Sequence, residues 1–314
     1  MHTHTAAGRL ALVLGLASTL VACGQFQTLK ARKHFKDANA LYQQQEYRKA
    51  AAAYEEALKA DPDLTTAYFY LGNSYDNLYK PARQGEAEND AFLQKAIENY
   101  QLAAEKEGDP KMRKLALEYL VAAYGPDKLN QPEKAEPLIQ KMIDLDPSDP
   151  ANYFALSKMY EDAGRYEDAE KVLLQAKDKR SNDPAVYMQL AGFYNRQGDF
   201  EKTIESLNER ATREPNNPEA FYTIGTYYWD KAYRDFRLAE PKKKEYGEAG
   251  LKAVEKAIQL KPDYMEAITY RGLLLRVLAA VEKDAGRQKE LLKDADAMQA
   301  QAVELRKKKA AGVS

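Results

Sequence analysis

The sequence predicts an all-α fold, a solenoid of tandem antiparallel helix hairpins, and three observations predict it. Residues 150 to 230 repeat at a spacing of 34. Pro150, Pro184 and Pro218 keep that step, as do Tyr153, Tyr187 and Phe221, Leu156, Leu190 and Ile224, and Tyr160, Tyr194 and Tyr228. Gly164 and Gly198 follow it too, with Tyr166 and Phe200. A fixed period of this length marks a repeat architecture, in which one helical unit stacks on the next. Within a unit the apolar residues recur at helical spacing. Tyr153, Leu156, Ser157 and Tyr160 share a face of a first helix, and Tyr166, Ala169, Leu173 and Ala176 share a face of a second. Finally, glycines and prolines fall at the joints between helical segments, and no alternating strand pattern competes.

The joints give the starts. Asp149-Pro150, Asp183-Pro184 and Asn217-Pro218 each set a capping side chain before a proline. A carboxylate or amide there can accept a free backbone N–H, and proline at the first helical position has none to satisfy. Each pair therefore opens the first helix of a hairpin.

These positions resemble the tetratricopeptide repeat, whose signature runs aromatic, Leu, Gly/Ala, Tyr on helix A and Ala, Phe/Tyr, Ala, Pro around helix B. The first unit, 31–64, carries Ala38, Leu41, Tyr47, Ala50, Tyr54, Ala57 and Pro62. The second, 65–110, carries Tyr68, Leu71, Gly72 and Tyr75, then Ala96, Tyr100 and Ala103. The third, 114–149, is more degenerate, with Leu117, Leu120, Tyr124, Ala135 and Pro147; 150–183 and 184–217 have the regular length. The sixth, 218–264, shows Phe221, Gly225 and Tyr228, then Ala257 and Pro262. A seventh hairpin, 265–308, lacks the signature in its second helix and reads as a terminal cap with a polar outer face. The resemblance thus implies a superhelix of six repeats plus a capping hairpin over 31–310. Units two and six carry insertions. In the sixth, Tyr228, Ala232, Phe236 and Ala239 continue an apolar stripe to Pro241, so helix A is expected to run two or three turns past its normal end. Tyr75, Leu78, Tyr79 and Ala82 do something similar in the second, interrupted at Pro81.

The N-terminus reads as a processing signal. Arg9 precedes an apolar run from Leu10 to Leu20, too short to span a bilayer as a helix. Leu20-Val21-Ala22-Cys23 resembles the lipobox of bacterial lipoprotein signal peptides. That resemblance implies a signal peptide over 1–22, cleavage before Cys23, and lipid on Cys23, with 23–30 as a tether. Two or more acyl chains anchor stably, so the mature chain would be tethered to a membrane without spanning it. Gly24, where the enteric family uses Asp for inner-membrane retention, points to the periplasmic face of the outer membrane. With Cys23 lipidated no thiol remains for a disulfide, a metal or a nucleophile.

Composition narrows the chemistry. Loss of Arg9 takes the formal net charge from −1 to −2, which argues against general nucleic-acid binding. His34 is the one histidine beyond the signal, so metal ligation or a Ser/His pair would need unusual partners. No glycine-rich phosphate loop appears. The expectation is a non-enzymatic chain with no metal and no cofactor beyond the covalent lipid.

A partner surface is expected on the A helices, where positions 5, 9 and 12 fall on one side. Position 5 gives Phe35, Phe69, Glu118, Phe154, Met188 and Tyr222; position 9 gives Asn39 and Asn73; position 12 gives Tyr42 and Trp229, the only tryptophan. The candidate partner-binding residues are these without Glu118. The aromatics would supply contact area to an extended peptide or helix, and the amides would bond to its backbone. The other reading is that the same rings pack within and between hairpins. The carboxylate clamp of chaperone-binding members is not expected, because its places hold Phe35, Asn39, Tyr70, Leu115 and Tyr119, and only Asn39 matches. The sequence therefore leads to a lipid-anchored periplasmic scaffold that assembles, positions or regulates an envelope complex. An envelope protein using a pocket formed by the inserted hairpins, for ligand binding or catalysis, stays open. So does a cytosolic scaffold, should the signal not be real.

Overall fold

In a computed structural model that describes residues 26–312, every regular element is helical. The signal peptide and Cys23 lie outside the described residues. Helix α1 covers 26–43, followed by α2 (Tyr47–Ala60), α3 (Thr66–Leu78), α4 (Ala87–Lys106), α5 (Pro110–Tyr124), α6 (Pro132–Leu145) and α7 (Pro150–Asp162). Then come α8 (Tyr166–Lys179), α9 (Pro184–Arg196), α10 (Phe200–Arg213), α11 (Pro218–Arg234), α12 (Glu240–Leu260), α13 (Met265–Val281) and α14 (Ala285–Ala310). The chain divides into two compact units, the first ending at Gly164 and the second beginning at Arg165. Among the described residues no helix is long and apolar enough to cross a membrane.

The joints form as their residues dictate. Asp109, Asp149, Asp183 and Asn217 each accept the N–H two residues on, from Lys111, Ala151, Ala185 and Glu219, at 3.0 Å in every case. Proline occupies the first turn of each helix so started. Gly164 and Gly198 close the following helices with φ of +73° and +76°, a backbone region that costs glycine little.

The period also sets the packing within each unit. In the first, the Tyr153 hydroxyl donates to the Pro147 carbonyl at 3.1 Å, and the Tyr160 hydroxyl to Glu136 Oε1 at 2.7 Å. Thirty-four residues on, in the second unit, Tyr187 donates to the Ser181 carbonyl and Tyr194 to Glu170 Oε1. Each tyrosine buries its ring while its hydroxyl finds an acceptor at the rim. The first unit's core runs from Ala38 to Met142 around Tyr54, Tyr100, Leu117 and Leu120. Leu207, Ile224, Val254 and Leu274 are buried in the second.

The insertions do not lie where the apolar stripe put them. Helix α11 has 17 residues against 13 in α7 and α9, so helix A gains about one turn, not two or three. Asp235 ends it, accepting from Lys231 Nζ at 3.0 Å and from the Arg237 N–H at 3.1 Å. Phe236 falls in the turn and is 86% exposed. Pro241, which the stripe suggested as a stop, sits in the first turn of α12, where a missing N–H is harmless. The added length goes into the second helix, 21 residues in α12 against 14 in α8 and α10. Unit two follows the same rule: α3 stops at Leu78 and α4 has 20 residues. A single 3-10 turn, Pro81–Arg83, fills the gap, and the buried Asn89 fastens it with bonds to the Lys80 N–H and to the carbonyls of Lys80 and Arg83.

Candidate functional site

In the first unit, the A helices bring the predicted residues together but use several of them internally. Phe35 and Tyr42 are half-buried on α1. The Phe35 ring lies 5.7 Å from Tyr54 and 6.2 Å from Tyr70, and Tyr42 lies 5.8 Å from Tyr70. Phe69 is 6% exposed, enclosed by Tyr70, Tyr100 and Tyr119, and offers a partner almost nothing. Asn73 is buried as well, its side-chain oxygen accepting from the Tyr42 hydroxyl and from Asn77 Nδ2. Asn39 accepts from the Tyr54 hydroxyl at 2.6 Å. The amides expected to bond a partner's backbone thus satisfy tyrosine hydroxyls that burial would otherwise strand. Burial, then the nearby Tyr70 and Tyr42, pushes the Tyr54 hydroxyl far above its ordinary pKa, so it stays a donor. Phe154 is half-buried on α7. Two half-buried rings that the positional reading passed over, Tyr70 and Tyr119, belong to this face. They stand one residue beyond position 5, where a short offset in the frame hides them.

In the second unit, Met188 is half-buried and bound to structure, its sulfur meeting Arg210 Nη1 at 3.0 Å. Arg210 is itself buried and paired with Glu214 at 2.7 Å. Tyr222 and Trp229 are brought together with Tyr270 of α13, and Tyr222 also with Tyr264, at the N-cap of that helix. Tyr222 lies 5.2 Å from Tyr264 and 5.5 Å from Tyr270; burial, then Tyr270 and Tyr264, push its pKa up to about 12. Trp229 meets Tyr270 edge-on at 5.3 Å and stacks on Tyr233 at 5.1 Å with planes 11° apart. Tyr233 is 65% exposed, so this stack opens to solvent.

Beside it is a cavity of about 610 Å³. Helix α11 contributes Trp229, Ala232 and Tyr233, the extended start of α12 contributes Glu240 and Lys243, and α13 contributes Leu273, Arg276, Val277, Ala280 and Val281. The extra turns of α12 are what supply this third wall. Arg276 is held by Asp296 at 2.6 Å, and Glu240 approaches Lys283 at 4.0 Å. Lys243 has no ion-pair partner among the described residues. Trp229 and Tyr233 stand four apart on one helix, a spacing visible in the sequence; Lys243, Arg276 and Tyr270 carried no such mark, because only the fold sets α12 and α13 against them. Among the described residues no cluster of His, Cys, Asp or Glu is arranged to hold a metal ion.

Family profiles described as "Tetratricopeptide repeat" and "TPR repeat" match residues 128–192 and 38–78. Among solved structures, the C-terminal part of a TPR repeat-containing protein from Cytophaga hutchinsonii covers 86% of this chain and 98% of its own, with a TM-score of 0.52 at 14% identity. A tetratricopeptide repeat protein from Parabacteroides merdae covers 85% of this chain and 99% of its own, with a TM-score of 0.44 at 14% identity. MamA from Desulfovibrio magneticus covers 64% and 97%, with a TM-score of 0.41 at 16% identity. At these identities the likeness concerns the fold. No curated protein sequence matches the chain.

Proposed function

Because the chain is a tetratricopeptide repeat protein, we propose that it is a protein–protein interaction scaffold of the bacterial cell envelope, held by lipid on Cys23 at the periplasmic face of the outer membrane. The observation that carries the scaffold reading is the open Trp229–Tyr233 stack beside the cavity between α11, α12 and α13. An accessible aromatic pair next to a largely apolar concavity is what an anchoring side chain of a partner needs. Phe35, Tyr42 and Phe154 remain candidates for contact in the first unit, since each keeps part of its ring in solvent. The envelope assignment rests on the sequence of the N-terminus alone: Arg9, the apolar run from Leu10, Leu20-Val21-Ala22-Cys23 and, for the outer membrane, Gly24.

Two experiments test the two halves. Photo-crosslinking in cells from positions 222, 229 and 233 is expected to capture one recurring protein, and capture only from positions 35, 42 and 154 would move the site to the first unit. Mass spectrometry of the native N-terminus is expected to show an acylated Cys23; an intact Met1 would refute the anchor. A second reading is supported by the cavity's size, which also suits a small molecule. A ligand-dependent rise in Tm with no captured protein would favour it.

A further inference from the structure

The wall of the cavity holds Glu240, Lys243 and Arg276, and the chain around it is rich in cations. Residues 231–244, which run from the last turn of α11 through the exposed connection into α12, hold Lys231, Arg234, Arg237, Lys242, Lys243 and Lys244 against Asp235 and Glu240, a net charge of +4. Most of these cations are already engaged: Lys231 and Arg237 by Asp235, Arg234 by Asp230, Lys242 by Glu245, Lys244 by Glu282. Lys243 is the exception. It is half-buried and lines the cavity. Opposite it lie Val277, Ala280 and Val281, an apolar wall. Tyr233 lines the cavity and is exposed, and Phe236 stands exposed in the connection that follows α11.

Resting on the scaffold reading above, we propose that this cleft takes an acidic peptide segment of a partner protein, with one large apolar side chain in the cavity and a neighbouring carboxylate on Lys243. The pairing follows from three features. A concave apolar wall removes an aliphatic or aromatic side chain from water. A half-buried ammonium without an acid of its own gains from a carboxylate placed there. Counting the paired Asp230, Glu245 and Glu282, the segment and its partners keep a net charge of +1, which favours an acidic chain over a basic one. A flat lipid surface would satisfy the exposed Phe236 and the cations, but would leave the cavity empty.

Trp229, the only tryptophan, lines the cavity and reports its occupancy directly. The probe is a twelve-residue peptide with a central Leu-Phe pair flanked by glutamates, titrated into the chain lacking its signal. Saturable change in Trp229 fluorescence is expected, weakened at least tenfold when the glutamates become lysines. Lys243→Glu is expected to weaken binding of the acidic peptide by at least tenfold. Ala280→Phe, at an exposed position on the wall, is expected to weaken both peptides by filling the space. Far-UV circular dichroism of each variant checks that the helices persist. Equal response to acidic and basic peptides, or retention of binding in Lys243→Glu, would overturn the proposal. So would a response confined to phosphatidylglycerol vesicles, which would assign the patch to a membrane surface. Should crosslinking from 229 and 233 capture a partner while the peptides show no charge preference, the scaffold reading stands and the acidic segment falls.

Discussion

Glu107 shows how much one side chain can hold in a stack of short helices. It is 7% exposed, and its carboxylate accepts from the Thr65 and Thr66 hydroxyls at 3.0 Å each and from the N–H groups of Gly108 and Asp109 at 2.8 and 3.1 Å. Its carbonyl accepts from Arg113. Burial opposes its ionisation, but the four donors outweigh burial and hold its pKa below the ordinary value. A depressed carboxylate contributes stability that is complete above about pH 4.3 and lost as pH falls through the folded-state pKa. Glu107→Ala should therefore cost about 3 kcal/mol at neutral pH in urea unfolding, and Glu107→Gln should flatten the loss of stability on the acid side. Gly225 makes the opposite point, a residue defined by what cannot be added. A Cβ there would stand 2.3 Å from Val254 Cγ1. Gly225→Ala should cost about 1–3 kcal/mol, and Val254→Ala in the same chain should return part of it; a double-mutant cycle showing simple additivity would refute that contact as the cause.

The helices themselves were the most legible level, since their starts depend on local chemistry. An Asp or Asn before a proline caps the helix that follows at 149, 183 and 217, and Asp109, outside the regular period, does so as well, whereas Asp61 and Asp146 precede prolines at helix ends. Replacing Asp183 by Ala should lower stability by about 1 kcal/mol, read as a fall in the urea midpoint. Insertions were less legible. Tyr228, Ala232 and Phe236 keep helical spacing, and spacing alone does not say where a helix stops. The stop came from Asp235, whose carboxylate pairs with Lys231 and takes up the Arg237 N–H. Proline at 241 was ambiguous for a related reason, because it ends one helix and begins another with equal ease. The site was legible in part. Trp229 and Tyr222 could be named from position, but Phe69 holds the same position as Tyr222 and Asn73 another on the same side, and both are buried. What separates them is the neighbour: Tyr100 and Tyr119 close over Phe69, whereas Trp229 faces a cavity walled by the lengthened α12.

At the scale of the molecule, two compact units each carry their own core, and Trp229 belongs to the second. Repeat arrays often lose all-or-none behaviour. Tryptophan fluorescence should therefore follow the second unit while circular dichroism follows every helix, and the two urea midpoints should differ; coincident curves would show one cooperative block. The caps that start the helices have a further consequence, in covalent chemistry. The bonds Asp61-Pro62, Asp109-Pro110, Asp146-Pro147, Asp149-Pro150 and Asp183-Pro184 all lie between helices and none within one. In an unfolded chain in warm dilute acid, an Asp carboxyl attacks its own peptide carbonyl and the basic proline nitrogen departs readily. Three of these bonds begin helices and two follow helix ends, so acid should cut this protein at its joints, separating the first four hairpins and leaving everything from Pro184 onward in one piece.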